Sequence, residues 1–231
     1  MNIGLLGFGK MGQLVEKIAK ERGHACPIII DKETDLIDYS KFEVAINFST
    51  PESAFNLISN CLNNGIAVIS GTTGWLDNYP KVVSLCNERE GSFLYASNFS
   101  LGVNLFFALN EQFSQLISQT REYQPAIKEI HHIHKLDAPS GTAISLAGPI
   151  IRDFELENYS STAKEKHLHI ESERVGEVPG THIVSYQSEV DLIRITHDAK
   201  NRNSFALGAV IAAEWIKDKK GVFSMKDVLS I

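Results

Sequence analysis

The stretch that decides the fold is Asn2-Ile3-Gly4-Leu5-Leu6-Gly7-Phe8-Gly9-Lys10-Met11-Gly12. Asn2–Leu6 reads as a short buried strand. It runs straight into a full G-x-G-x-x-G. Met11, Leu14, Val15, Ile18 and Ala19 then recur at helical spacing, and Gly23 stands where a helix would be capped. A second apolar run, Ala25–Ile30, ends in Asp31, nineteen residues after Gly12. Each part has a physical task at a bound dinucleotide. Gly7 permits the tight turn, Gly9 lets backbone approach a pyrophosphate, and Gly12 lets the helix pack closely. The helix N-terminus favours phosphate charge, and the acid accepts from a ribose hydroxyl. Gly7, Phe8, Gly9, Lys10, Met11, Gly12 and Asp31 are therefore cofactor-binding candidates. Asp31 repels a 2′-phosphate. The adjacent Lys32 either compensates for that phosphate or is a solvated surface lysine, so both NADH and NADPH stay open.

The alternation continues outward from this unit. Only twelve residues separate Asp31 from the strand starting at Val44, which leaves room for one helical turn at most. Val44–Phe48 is the third strand. Ser49-Thr50-Pro51-Glu52 opens a helix with capping residues, a proline in the first turn and an acid near the positive dipole end. Ile66–Ser70 is the fourth strand, ending in Gly71-Thr72-Thr73-Gly74-Trp75. Leu76–Glu88 is predicted helical and Phe93–Ala96 is the fifth strand, ending at Ser97-Asn98-Phe99-Ser100. Alternating strands and helices imply an α/β fold with a doubly wound parallel sheet, whose ligands bind beyond the carboxyl ends of the strands. Gly71, Thr72, Thr73, Ala96, Ser97, Asn98 and Phe99 lie at those ends. Thr72 and Thr73 either donate to ribose or nicotinamide or cap a turn.

After residue 100 the pattern changes. Leu101–Gln119 is a long amphipathic helix with Leu105, Ala108, Leu109, Gln112, Phe113, Leu116 and Ile117 as its predicted inner face. Ala126–His134, Lys166–Ser172 and Thr181–Thr196 read as strands, and Thr142–Ile151 and Phe205–Lys217 as helices. Clustered strands imply an α+β domain over residues 101–205. The expected division is a dinucleotide-binding domain at 1–100, completed by 206–231, and a substrate-binding domain at 101–205.

Glu129-Ile130-His131-His132-Ile133-His134-Lys135-Leu136-Asp137-Ala138-Pro139-Ser140-Gly141-Thr142-Ala143 carries the chemistry. Three of the chain's eight histidines fall within four positions and a lysine follows. Surface histidines are one reading. A zinc pair from His132 and His134 with Asp137 is a second, and Lys135 sets a cation against it. Acid–base chemistry beside an anion is the third. A histidine donates a proton near neutrality, Lys135 supplies fixed charge, and Ser140, Gly141 and Thr142 begin a helix whose N–H groups suit a carboxylate.

This signature resembles that of the 4-hydroxy-tetrahydrodipicolinate reductase (dihydrodipicolinate reductase) family. Gly7–Gly12, Asn47–Glu52, Gly71–Trp75, Asn98–Asn104, Arg174–His182, Ile195–Ala199 and Phe205–Trp215 agree along most of the chain. The resemblance implies a Rossmann-type domain and a substrate domain that assembles a homotetramer. It implies NADH or NADPH as cofactor and a cyclic imine dicarboxylate as substrate, on the diaminopimelate route to lysine. It assigns His131 as proton donor, Lys135 as its electrostatic partner, His132 as a substrate contact, and Ser140, Gly141 and Thr142 as the carboxylate grip. Two departures stand out: the short 32–43 crossover, and Asn47 where many relatives have an aspartate. The rivals are a related reductase of an amino-dicarboxylate such as aspartate, and a non-catalytic nucleotide-sensing protein.

The totals bound the rest. At 231 residues, 43% hydrophobic and 22% charged, the chain has the composition of a soluble globular protein. A net charge of −6 and pI near 5.8 argue against a nucleic-acid partner. No apolar run reaches the roughly 18 residues of a membrane helix. With no leader-like N-terminus and three scattered cysteines, a cytoplasmic location without structural metal is expected.

Overall fold

A computed structural model describes residues 1–31 and 37–231. Lys32 and part of the short crossover lie outside the described residues. The chain divides into two compact units, one of 1–104 with 203–231 and one of 105–202.

In the first unit, β1 (Asn2–Leu6), β2 (Ala25–Ile30), β3 (Val44–Asn47), β4 (Ala67–Ser70), β5 (Ser92–Tyr95) and β11 (Gly221–Phe223) form one parallel sheet. The strand order is β11-β5-β4-β3-β1-β2, so the order reverses at β1 and β3. Such a reversal opens a crevice at the strands' carboxyl ends. The helices are α1 (Lys10–Glu21), α2 (Pro51–Asn63), α3 (Tyr79–Glu88), α6 (Asn203–Ile216) and α7 (Met225–Leu229). Strands buried on both faces read as continuous apolar runs rather than alternations. One face sets Ile3, Leu5, Val44, Ile46 and Ile69 against Val15, Ala19 and the Ala-rich α6. The other sets Leu6, Ala45, Val68 and Phe93 against Ala54, Ile58 and Leu62 of α2 and Val82 of α3.

Local chemistry fixes the helix ends. Thr50 caps α2 by accepting from Ser53 N–H at 3.4 Å, with Pro51 at the first helical position. At the end of α1, Arg22 and His24 both reach Glu214 of α6, at 2.7 Å each. Among the described residues of the crossover before β3, Tyr39–Lys41 forms a 3-10 turn. Asn47 is fully buried. Its amide donates to Ser70 Oγ at 3.1 Å and its carbonyl accepts from Ser49 N–H at 3.2 Å. A neutral amide fills both roles without burying a charge.

The second unit holds the five-stranded sheet β10-β9-β6-β8-β7. Its strands are β6 (Gln124–His131), β7 (Asn158–Ser160), β8 (His167–Arg174), β9 (Thr181–Gln187) and β10 (Leu192–Asp198). Ile127, Leu168, Ile170, Val184 and Tyr186 pack with Phe106 and Ile117 of α4 (Leu101–Ser118) and with Ala143, Leu146 and Ile150 of α5 (Gly141–Asp153). The alternate residues, among them Ala126, Lys128, Ile130, His169, Glu171, Ile183, Ser185 and Arg194, stay half-buried or exposed.

The predicted inner face of α4 is rotated. Leu105 and Leu109 are each 50% exposed and Leu116 is 65% exposed. The buried line is Val103, Phe106, Asn110, Ser114 and Ile117. Asn110 explains the error: its amide donates to Leu146 O at 3.0 Å, so a polar residue occupies the core side. The three-residue strands β7 and β11, and α7, add to the elements expected from periodicity.

Candidate active site

In the first unit, Gly7, Phe8, Gly9, Ile30, Asp31, Phe48, Ser49 and Thr50 line a groove of about 430 Å³ at the strand-order reversal. Gly7 has φ +97°, and a Cβ there would lie 2.2 Å from Phe48 O. A Cβ on Gly12 would lie 2.2 Å from Gly7 O, so this glycine lets the loop close on itself. A Cβ on Gly9 would meet no protein atom within 4 Å. The α1 N-terminus has no side-chain cap, unlike α2 and α5. Its first N–H groups have no side-chain cap and Gly9 leaves open space beside them, an arrangement that suits an anion. Lys10 is exposed, while Met11 packs on the core.

Other cofactor candidates are used differently. Thr72 is buried, and its hydroxyl accepts from Ser49 N–H at 3.0 Å, bracing the loops after β3 and β4. Thr73 stays exposed. A Cβ on Gly71 would strike the Phe48 ring at 2.1 Å. Phe99 is a core residue in edge contact with Phe48 at 5.8 Å between ring centroids. Ala96 and Asn98 are half-buried and Ser97 exposed. Asn98 Oδ1 accepts from Ser100 N–H at 2.9 Å.

In the second unit, β6 ends at His131, so the histidine stretch leaves the sheet there. His131 is 7% exposed. Beneath it lies Glu129, fully buried on the same strand face. Glu129 Oε1 accepts from Ser140 N–H at 3.1 Å and from Arg174 Nη2 at 3.2 Å. Glu129 Oε2 lies 2.9 Å from His131 Nδ1 and 3.9 Å from His182 Nε2. Sheet register makes this cluster: Glu129 stands opposite His182 on β9, and His131 opposite Arg174 on β8. The His131 and His182 rings meet edge-on at 5.0 Å.

Electrostatics follow from burial. Burial works against the Glu129 charge, but hydrogen bonds from Ser140 and Ser172, with His131 and Arg174 nearby, outweigh it and hold the carboxyl below the usual range. Burial pushes the His131 imidazole below its ordinary value; Glu129 opposes this, and Lys135 and Arg174 reinforce it. Burial, reinforced by His131, pushes His182 down to about 4 against the pull of Glu129. Glu129, His131 and His182 bring ligand-type atoms within 4.8 Å of one another. Arg174 pairs with that carboxylate at 3.2 Å, which sets a fixed positive charge beside the cluster.

His182 yields a stability prediction. Its folded value lies below its unfolded one, so the unfolded chain takes up the proton first as pH falls. The stabilisation from keeping it neutral is complete above the unfolded value near 6.5. It is lost between there and about 4, a change of about 3 kcal/mol. Urea unfolding across that window should show His182→Asn losing less stability with falling pH than the parent chain; equal slopes would contradict it.

The remaining predicted residues surround the cluster. Lys135 Nζ pairs with Asp137 at 2.7 and 2.8 Å. His132 is half-buried, with its ring 6.1 Å from that of His134. Ser140, expected to grip a ligand, is instead turned inward. Its N–H is used by Glu129, and its Oγ accepts from Ala143 N–H at 3.2 Å and contacts His182 Nε2 at 3.0 Å. The first main-chain bond of α5 is Ile144 N–H to Ser140 O, and the N–H groups of Gly141 and Thr142 precede it. Those two residues form the open end of the helix. Glu129, Arg174 and His182 were not singled out as site residues, although the period of two placing Glu129 beneath His131 is visible in sequence.

Comparison with known proteins agrees along the whole chain. Residues 1–99 match the family model described as dihydrodipicolinate reductase, N-terminus, and residues 102–229 match its C-terminus. A 4-hydroxy-tetrahydrodipicolinate reductase of Christiangramia forsetii is 50% identical, covering 100% of this chain and 98% of the relative. That of Thermosipho africanus is 33% identical, covering 99% and 98%. A dipicolinate-bound dihydrodipicolinate reductase structure from a Paenisporosarcina species has a TM-score of 0.79 at 21% identity, covering 97% of each chain, and shares the fold. The chain belongs to the dihydrodipicolinate reductase family of NAD(P)H-dependent oxidoreductases.

Proposed function

We propose that this chain reduces 4-hydroxy-tetrahydrodipicolinate to tetrahydrodipicolinate, with NAD(P)H and one proton consumed and one water released, in cytoplasmic lysine biosynthesis. The observation that carries the reading is a buried histidine backed by a carboxylate, Glu129, beside a lysine and the Gly141 and Thr142 N–H groups that begin α5. Residues 1–104 with 203–231 bind the dinucleotide and 105–202 bind substrate. The nicotinamide, when bound, supplies the hydride for ring C4. Gly9 and the α1 N-terminus hold the pyrophosphate, and Asp31 takes the ribose. Thr73, Ala96, Ser97 and Asn98 border the nicotinamide side, with Gly71, Thr72 and Phe99 shaping it from behind. Gly141 and Thr142 grip one carboxylate, Lys135 meets the dianion's charge and His132 contacts the ring. Loss of the C4 hydroxyl as water takes a proton from the carbon beside C4, and after hydride arrives at C4 His131 returns a proton to that carbon. A dianion arriving near His131 raises its proton affinity and so favours the charged acid when substrate is present.

NADH or NADPH should be oxidised only with the condensation product of pyruvate and aspartate semialdehyde. Absence of oxidation with both cofactors would sink the reading. Substituting Lys135→Ala should raise KM and lower kcat together, each by roughly tenfold, because one charged contact to a substrate carboxylate is lost. Unchanged steady-state kinetics would place Lys135 in solvent instead. Assembly as a homotetramer through the open face of the five-stranded sheet is supported by Ala126, Ile130 and Ile183, which lie there among charged residues. Light scattering should give the mass of four chains.

A further inference from the structure

The group beneath His131 has a task of its own. Glu129 is fully buried, and the donors that hold it ionised include Ser140 N–H and Arg174 on Oε1. Its other oxygen faces His131 Nδ1 at 2.9 Å, a contact that is short without being aligned as a hydrogen bond. A bare ring nitrogen so close to a carboxylate oxygen would oppose two lone pairs. The contact therefore calls for an N–H on Nδ1. The other ring nitrogen, Nε2, lies toward Gly180, where a Cβ would approach it to 3.1 Å. The absent side chain leaves Nε2 clear.

We propose that Glu129 is a positioning residue, its carboxylate fixing His131 as the Nδ1–H form, presenting Nε2 for proton delivery and stabilising the imidazolium. This rests on His131 being the proton donor. Other charged or titratable groups surround the imidazole. His182 faces it from β9 and Arg174 from β8, with Lys135 and Asp137 in the loop that follows β6. Arg174 and Lys135 oppose a positive charge on His131, and a protonated His182 would too. Glu129 is the nearest carboxylate and the larger counterweight, with Asp137 second. The same carboxylate holds the N–H of Ser140 at the start of α5. One buried group thereby sets the histidine and the helix end that grips the substrate.

The test is Glu129→Gln, which keeps shape and removes charge. Turnover should fall by roughly 100-fold while cofactor Kd is unchanged. The alkaline limb of the kcat profile should move to lower pH by about one unit or more, because the imidazolium loses its nearest opposite charge. Nitrogen NMR of the 15N-histidine-labelled protein, with His131 assigned by comparison with His131→Gln, reads the tautomer directly. The parent chain should show neutral His131 protonated on Nδ1. An Nε2–H form in the parent chain, or a variant with unchanged limb and turnover, overturns the proposal. If the variant does not fold, the parent tautomer alone decides. Near-normal turnover of His131→Gln would instead remove the proton-donor reading, whatever the tautomer.

Discussion

Replacing His131 with glutamine is expected to lower turnover by roughly 100-fold or more, with cofactor affinity little changed. The argument is one of location and chemistry. Of the three signature histidines, His131 is the one that is both buried and set against a carboxylate, and burial pushes its proton affinity below the ordinary value. Glutamine retains a donor for Glu129, so the sheet end and the start of α5 keep their contacts. It has no group that titrates near neutrality, so proton delivery is left to water. The groove beside the Gly7–Gly12 loop is lined by residues of the other unit. Steady-state kinetics with a fluorescence titration of NADPH and NADH separate the two effects. Turnover close to the parent value would pass the acid's role to another group, with His132 the next candidate.

The second large effect is expected at the opposite end of the reaction. Gly12→Val should weaken cofactor binding by roughly 10-fold to 100-fold, the equivalent of about 1–3 kcal/mol of overpacking. A Cβ on Gly12 would sit 2.2 Å from a backbone atom, Gly7 O, which cannot swing aside as a side-chain tip can. The Gly7–Gly12 loop must open, and the uncapped N–H groups of α1 move with it. Circular dichroism checks that the sheet survives, and titration with each cofactor gives the affinity. Parent-like affinity in a folded variant would mean that this groove does not hold the pyrophosphate.

The two sites differed in how far the sequence exposed them. The Gly7–Gly12 loop is a local object: strand, glycines, helix and acid follow within thirty-one residues, and each has a steric reason visible in one dimension. The histidine cluster is not local. Glu129 meets His182 through the β6–β9 register, and Arg174 reaches Glu129 through β6–β8 pairing. Register depends on turns and partner strands outside any one segment. Ser140 shows the same limit in miniature. Its place at a helix start was legible, but the buried partners that consume its N–H and Oγ were not. On α4 an apolar count chose the wrong stripe because Asn110 and Ser114 lie on the buried side. The strand β11 has three residues and owes its form to pairing with β5, so periodicity had nothing to read.

That late strand has a consequence for how the molecule is made. The first unit is begun at Met1 but lacks α6, β11 and α7 until residues 203–231 exist. Without α6, the sheet face carrying Ile3, Leu5, Val44 and Ile46 has lost Ala206, Ala209, Val210, Ala213 and Ile216 as cover. Residues 105–202, by contrast, are continuous and hold their own core. During synthesis residues 1–104 are therefore completed only after 105–202, and they wait with one sheet face covered by α1 alone while the inserted unit closes on itself. Nascent chains halted near Arg202 should show protease protection over 105–202 well before 1–104 acquires it.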